Sequence, residues 1–132
     1  MNDLSAAIGL GNMEDFPEKL KRRIEIGGIY REEFKDIPGL QLLEYKDDRE
    51  SAYWLFTMLV ERRTDFIRKL KEKEIPASVM HQRIDNNSVF GGTRRDLRVQ
   101  DKFDEDQVSI PVHSALTEED VVLIVDTIKK GW

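Results

Sequence analysis

No cysteine occurs in the 132 residues, which excludes a disulfide framework, a zinc knuckle and a thiol nucleophile and suits a reducing compartment. Nor is there an excess of basic charge. The 21 Lys and Arg residues are interspersed among 26 Asp and Glu, for a net charge of -5, so the chain has no general attraction for nucleic-acid phosphates. No apolar run approaches the ~20 residues of a membrane-spanning helix. Met1-Asn2-Asp3-Leu4 offers neither a basic nor an apolar leader, so the reading is of a cytoplasmic protein without membrane or nucleic-acid partners. Phosphate-cradling motifs of the types G-x-x-x-x-G-K-[ST] and G-x-G-x-x-G are missing, and Gly9-x-Gly11 alone reads as helix packing. The two histidines, His81 and His113, show no metal-ligand spacing, so no metal site is expected.

What is present describes a well-solvated globular chain, with 39% hydrophobic and 36% charged residues. Its length is sufficient for one domain with a core of its own. Leu4 to Leu10 predicts a short first helix closed by Gly9 and Gly11. Phe16, Leu20, Ile24, Gly27, Tyr30 and Phe34 recur near a 3.6-residue period and predict a long amphipathic helix. Pro17 fits its first turn, and Pro38-Gly39 forces its end near Asp36.

Leu40 to Leu43 and Ala52 to Val60 then predict an antiparallel strand pair, with Tyr53 and Trp54 as sheet residues and nucleotide stacking as their alternative role. Thr64 to Lys73 predicts a surface helix through Phe66, Ile67 and Leu70, and Ile75 to Met80 an extended segment. The polar stretch from His81 to Asp96 reads as a loop able to cover or line a site, with Asp96 capping a brief helical turn. Val108 to Val112 predicts a strand. Thr117-Glu118-Glu119-Asp120 resembles a capping box that opens a terminal helix running to Lys130. The order implies an α+β fold: a long N-terminal helix and a small, mainly antiparallel sheet with helices on one face.

Several of these segments also resemble, in order and spacing, those of one enzyme family. Asn2-Asp3-Leu4-Ser5-Ala6-Ala7-Ile8-Gly9-Leu10, preceded by Met1, is similar to the "R-M-N-D-L-x-A-A-x-G-L" stretch of DegT/DnrJ/StrS-type aminotransferases. A helix with Arg23 and Tyr30 follows, then Ile37-Pro38-Gly39-Leu40 and Tyr53-Trp54, similar to the family's "i-P-G-L" turn and "y-W" strand. Phe66 to Leu70 with Ile75 resembles its "L-x-x-x-G-I" element, with Glu74 where glycine is usual. Ser109-Ile110-Pro111-Val112-His113 and Leu116-Thr117 resemble its closing "l-P-x-h-x-x-L-t-x-e".

The resemblance implies the C-terminal part of a fold-type I aminotransferase, with connecting helices in residues 1–36 and the small C-terminal α+β domain in 37–132. It implies transfer of an amino group, typically from glutamate, to a nucleotide-linked keto sugar in polysaccharide biosynthesis, in an enzyme whose active sites lie at a dimer interface. The family's Schiff-base lysine and main pyridoxal phosphate contacts belong to an N-terminal cofactor domain without counterpart in this sequence. Met1 then stands at an internal methionine or at the edge of a truncated reading frame. Pyridoxal phosphate is expected in the full-length family member and not on this chain alone, for which no catalytic or cofactor-binding residue is assigned. Homodimerisation, or association with an aminotransferase large domain, is the expected partnership. An exposed apolar patch is expected around Ala6-Ala7-Ile8 and the long helix.

The residues themselves leave a choice. Lys19, Lys21, Lys69, Lys71 and Lys73 lie in charge-rich segments and read as surface residues. His81-Gln82-Arg83-Ile84-Asp85 is similar to an "H-x-R-N-D" run that faces substrate in one branch of the family, with Ile84 where asparagine is common. His81, Arg83 and Asp85 are therefore the candidate substrate-binding residues. Arg83 suits a phosphate or carboxylate clamp and His81 a donor to a sugar hydroxyl, while hydrogen bonding inside the loop is the competing role. His113 reads as structural. A stand-alone, non-catalytic α+β binding or dimerisation module is the alternative to an aminotransferase segment, and an unrelated enzyme using His81 and Asp85 as acid and base ranks last.

Overall fold

The computed structural model describes residues 2–94 and 96–132; Met1, which opens the first family-like stretch, and Arg95, in the polar loop, lie outside the described residues. Helix α1 spans Asp3–Met13 and is capped by Asn2, whose Oδ1 accepts the Ser5 N–H at 2.8 Å. It runs straight through Gly9 and Gly11, which were expected to close it, because an isolated glycine costs a helix only about 1 kcal/mol. Every large apolar side chain of α1 is exposed, among them Leu4, Ile8, Leu10 and Met13.

Helix α2, Phe16–Phe34, carries Pro17 in its first turn as expected. Its buried stripe is Ile26, Gly27, Tyr30 and Phe34, whereas Phe16 and Ile24 are exposed. Ile24 stands two residues, about 200°, round the helix from Ile26, so only one of them can face the sheet. That stripe belongs to the same core as the sheet, so residues on both sides of position 36 share one apolar cluster.

Strands β1 (Leu40–Leu42), β2 (Phe56–Val60) and β3 (Gln107–Ile110) form an antiparallel sheet in that spatial order. The register sets Phe56 opposite Ile110, Met58 opposite Val108, and Val60 opposite Leu40, gathering the apolar residues on one face. Against that face pack α2, α3 (Arg63–Lys71, through Phe66 and Leu70) and α5 (Glu118–Lys129, through Val121, Ile124, Val125 and Ile128). The expected capping box at Thr117 is formed, with Asp120 returning the bond. Trp132 closes the structure: its Nε1 donates to the Glu61 carbonyl at 2.6 Å and its ring meets the edge of Phe66 at 4.9 Å.

The opposite face, with Gln107 and Ser109 buried, is covered by the 81–106 segment. That segment contains α4 (Arg98–Asp106), a nine-residue helix where only a brief turn was expected. Val99 and Phe103 are the only apolar residues there besides a run of charges, too few to mark a period. Nor does Asp96 cap it: Leu97 occupies the N-cap, and the Asp96 carboxylate takes the Arg94 guanidinium at 2.5 and 3.1 Å. Ser78 bridges to Ser109, so the extended 75–80 segment adjoins β3. Tyr53 and Trp54 lie before β2 rather than in the sheet, for a reason given below. No helix among the described residues is long and apolar enough to cross a membrane.

Candidate functional site

The polar loop is held from within. Arg83 is 4% exposed at its side chain, and its fork grips the Asp85 carboxylate through Nε at 2.8 Å and Nη2 at 2.6 Å. The same guanidinium donates to Asp101 of α4 and, at 3.0 Å, to the Arg94 carbonyl. Asp85 in turn accepts the Arg94 N–H at 2.8 Å. These donors stabilise its charged form and hold its pKa down at about 2, while the two carboxylates raise that of Arg83. A carboxyl that acidic is a poor general base near neutrality.

One link ties this loop to the sheet: the buried Gln107 side chain donates to the His81 carbonyl at 2.6 Å. Two single-turn helices, Ile84–Asn86 and Ser88–Phe90, follow, and Gly91 and Gly92 reverse the chain at φ of +91° and +89°. Ile84, Val89 and Phe90 point outward. Of the three residues singled out from sequence, Arg83 and Asp85 form one ion pair, and His81 is exposed with its ring 6.2 Å from that of Trp54.

Trp54 owes its position to its neighbour. Tyr53 has φ of +44°, a left-handed conformation that costs a non-glycine residue roughly 1–2 kcal/mol. Contacts on every side hold it there. Arg23 donates to its carbonyl through Nε at 3.1 Å and Nη2 at 2.7 Å, its N–H donates to Ser51 Oγ at 3.1 Å, and its ring stacks between Tyr45 and Phe56. The reversal buries Tyr53 and turns Trp54 outward, leaving it 71% exposed.

Beside Trp54 opens a cleft of about 670 Å³ between α3, the 75–80 segment and the end of β3. Its floor is apolar, with Leu55, Ile75 and Ile110, and its polar rim includes Arg23, Lys71 and His113. No Asp or Glu lines it. The sequence reading took Trp54 for a sheet residue, Lys71 for a surface residue and His113 for a structural one. The only local signal for their meeting was the Tyr53-Trp54 pair. Among the described residues, no group of three or more His, Asp and Glu side chains is placed to hold a metal ion.

A Schiff-base lysine would sit buried with its pKa lowered. Here every lysine is exposed except the half-buried Lys69, and the shifts at Lys35 and Lys102 are upward, caused by the hydrogen bonds these lysines donate to the Glu32 and Asp106 carboxylates.

Residues 1–129 match the DegT/DnrJ/EryC1/StrS aminotransferase family. The fold superposes on the sugar aminotransferase CalS13 of Micromonospora echinospora with a TM-score of 0.92 and 37% identity, over 100% of this chain and 36% of that one. An uncharacterized protein of Methanocaldococcus jannaschii is 31% identical, and the spore coat polysaccharide biosynthesis protein SpsC of Bacillus subtilis 28%, each over 98% of this chain and 36% of its own length. The chain therefore belongs to the DegT/DnrJ/EryC1/StrS aminotransferase family and spans about a third of the length of these relatives, corresponding to the C-terminal part of the sugar aminotransferase structures. The family is pyridoxal phosphate-dependent, and the surface lysines of this chain do not fit that cofactor.

Proposed function

We propose that this chain is the substrate-closing C-terminal third of a sugar aminotransferase that moves an amino group, typically from glutamate, onto a nucleotide-linked keto sugar, and that it is inactive alone. The carrying observation is the pairing of a family match over residues 1–129 with a set of lysines of which none is buried. Pyridoxal phosphate would supply the electron sink in the whole enzyme, on residues outside this chain.

The roles of this segment follow from its surfaces. Helix α1 carries Leu4, Ile8, Leu10 and Met13 exposed around much of its circumference and buries none of its own residues, the pattern of a helix covered by other protein. In this reading it packs against an aminotransferase large domain or a second copy and supports the dimer. The 81–96 loop, braced by Arg83 and Asp85, would present His81 towards the sugar, with Arg83 and Asp85 acting by fixing the loop's shape.

The test is reconstitution. The chain alone, titrated with pyridoxal phosphate and reduced with borohydride, should form no lysine adduct and no aminated product. Mixed with, or fused to, a lysine-bearing large domain of the family, it should restore transfer from glutamate to a keto sugar nucleotide. A stoichiometric, reducible adduct on the chain alone would overturn the proposal. Binding without any activity in the fusion would favour the stand-alone module.

A further inference from the structure

The geometry points to Arg23 as a positioning residue for His81: through the Tyr53 carbonyl it fixes the turn that lays Trp54 beside the His81 ring, so that helix α2 governs one edge of the polar loop. The bearing on substrate rests on the reading of His81 as the residue turned towards the sugar. The coupling itself belongs to this chain alone.

The argument begins at one peptide bond. The Tyr53 carbonyl belongs to the planar unit that joins Tyr53 to Trp54, so anchoring its oxygen fixes the direction in which Trp54 leaves. Arg23 anchors that oxygen twice, through Nε at 3.1 Å and Nη2 at 2.7 Å, with the strength of charged donors. Its neighbour Arg22 is ion-paired to Glu25 and Glu118, whereas Arg23 gives both contacts to a single backbone oxygen. Tyr53 at φ of +44° would otherwise relax towards the extended conformation of the strand it precedes. Strain held in place by surrounding structure is a mark of a side chain whose direction is used.

Arg23 does not act as an isolated contact. Arg23, Gly27 and Arg31 recur every four residues along α2 and so form one stripe of the helix. Gly27 gives the Tyr53 ring room against the helix backbone. Arg31 lies 4.9 Å over the Tyr45 ring and donates to the Leu43 carbonyl at 3.0 Å, and Tyr45 in turn stacks on Tyr53. The whole 43–54 segment is thus laid along α2, with Trp54 at its end.

At that end, two different elements meet on His81. Gln107 of β3 donates to its backbone carbonyl at 2.6 Å, and the Trp54 ring lies 6.2 Å from its imidazole at a tilt of 54°, within the range of an aromatic contact. The sheet therefore holds the His81 backbone, and α2, through Arg23 and Trp54, bears on its ring.

The test is a double-mutant cycle read by NMR on the 132-residue chain. The Trp54 indole and His81 imidazole protons should show a cross-relaxation contact, and the ring current of the indole should displace the His81 ring signals. Trp54→Ala should abolish that displacement. Arg23→Gln should abolish the contact and most of the displacement, with the buried Leu70 and Ile128 signals unmoved. In the Trp54→Ala background, Arg23→Gln should leave His81 unchanged, because its effect runs through Trp54; a residue that only stabilises the fold would act alike in both backgrounds. If Arg23→Gln unfolds, Arg23→Lys, which keeps one cationic donor for the carbonyl, takes its place and should reduce the displacement without removing it. A contact undisturbed by the Arg23 substitution, or an equal shift of His81 in both backgrounds, would overturn the positioning role and leave the aminotransferase reading intact. Failure of the reconstituted fusion to transfer an amino group, with the coupling present, would overturn that reading and leave the positioning role standing.

Discussion

The ring of Tyr53 lies on the bare backbone of Gly27: a methyl group at that glycine would sit 2.6 Å from two of the ring carbons. Tyr53 cannot yield easily, because its backbone is pinned by Arg23 and Ser51 and its ring is stacked on two others. Overpacking of this kind costs about 1–3 kcal/mol, against a gain of about 1 kcal/mol from replacing glycine within a helix. Gly27→Ala should therefore lower stability in chemical denaturation and alter Trp54 emission. Gly28→Ala, one residue on with open space around it, should raise stability by about 1 kcal/mol.

Glu74 follows α3 with φ of +58°, in the conformation that favours glycine. The Ile75 N–H returns to the Leu70 carbonyl at 3.0 Å, so the reversal is part of the helix ending. Glu74→Gly should raise stability by about 1 kcal/mol, the relieved strain exceeding the added freedom of the unfolded chain. Glu74→Ala should not reproduce the gain. Thermal midpoints of the two variants decide it.

The Tyr30 hydroxyl is buried in the core with no hydrogen-bond partner among the described residues, and burial drives its pKa upward. An unsatisfied buried hydroxyl costs about 1–3 kcal/mol. Tyr30→Phe keeps the stack on Phe34 and the edge contact with Phe56, so it should be neutral or stabilising by about 1 kcal/mol in urea unfolding.

Asp85 titrates near 2 in the folded chain, below its ordinary value of 3.8, because Arg83 and the Arg94 N–H bond its charged form. A depressed carboxyl contributes stability that is present above the ordinary value and is lost as pH falls through the folded one. The loop should loosen between about pH 4 and pH 2, seen as faster amide exchange at Arg94 with the core still protected. Asp85 and Asp101 share the Arg83 guanidinium, so Asp85→Asn should weaken the latch at every pH and flatten this acid limb. An unchanged acid limb in Asp85→Asn would assign the transition elsewhere.

Ile8→Lys with Leu10→Lys tests the covering of α1. Both side chains are exposed, so the fold should persist by circular dichroism while self-association in sedimentation falls. Unchanged association would place the contact elsewhere.

Periodicity and turn chemistry made most of the fold legible. Pro17, Pro38-Gly39 and Thr117 marked helix ends that the structure places within a few residues, and the strand pair was found where β-favouring residues cluster. Charge-rich α4 was not legible, because a helix held by loop hydrogen bonds and ion pairs leaves little apolar period. Nor was the departure of Tyr53 from the sheet, since that depends on Gly27 and Arg23 from another element. Arg83 and Asp85 were visible as a polar cluster, but only three dimensions show that they bind each other. The glycine expected at position 74 was a cue of a different kind: the backbone there has the shape that glycine would allow.

Helix α2 and helix α5 share the core although they are far apart in the chain, and the ion pair between Glu33 and Lys129 links residues 96 apart. During synthesis, Ile26, Tyr30 and Phe34 leave the ribosome long before Ile124 and Ile128 can cover them. The core therefore closes only after α5 has emerged, and until then the apolar stripe of α2 is open to chaperones and to neighbouring nascent chains.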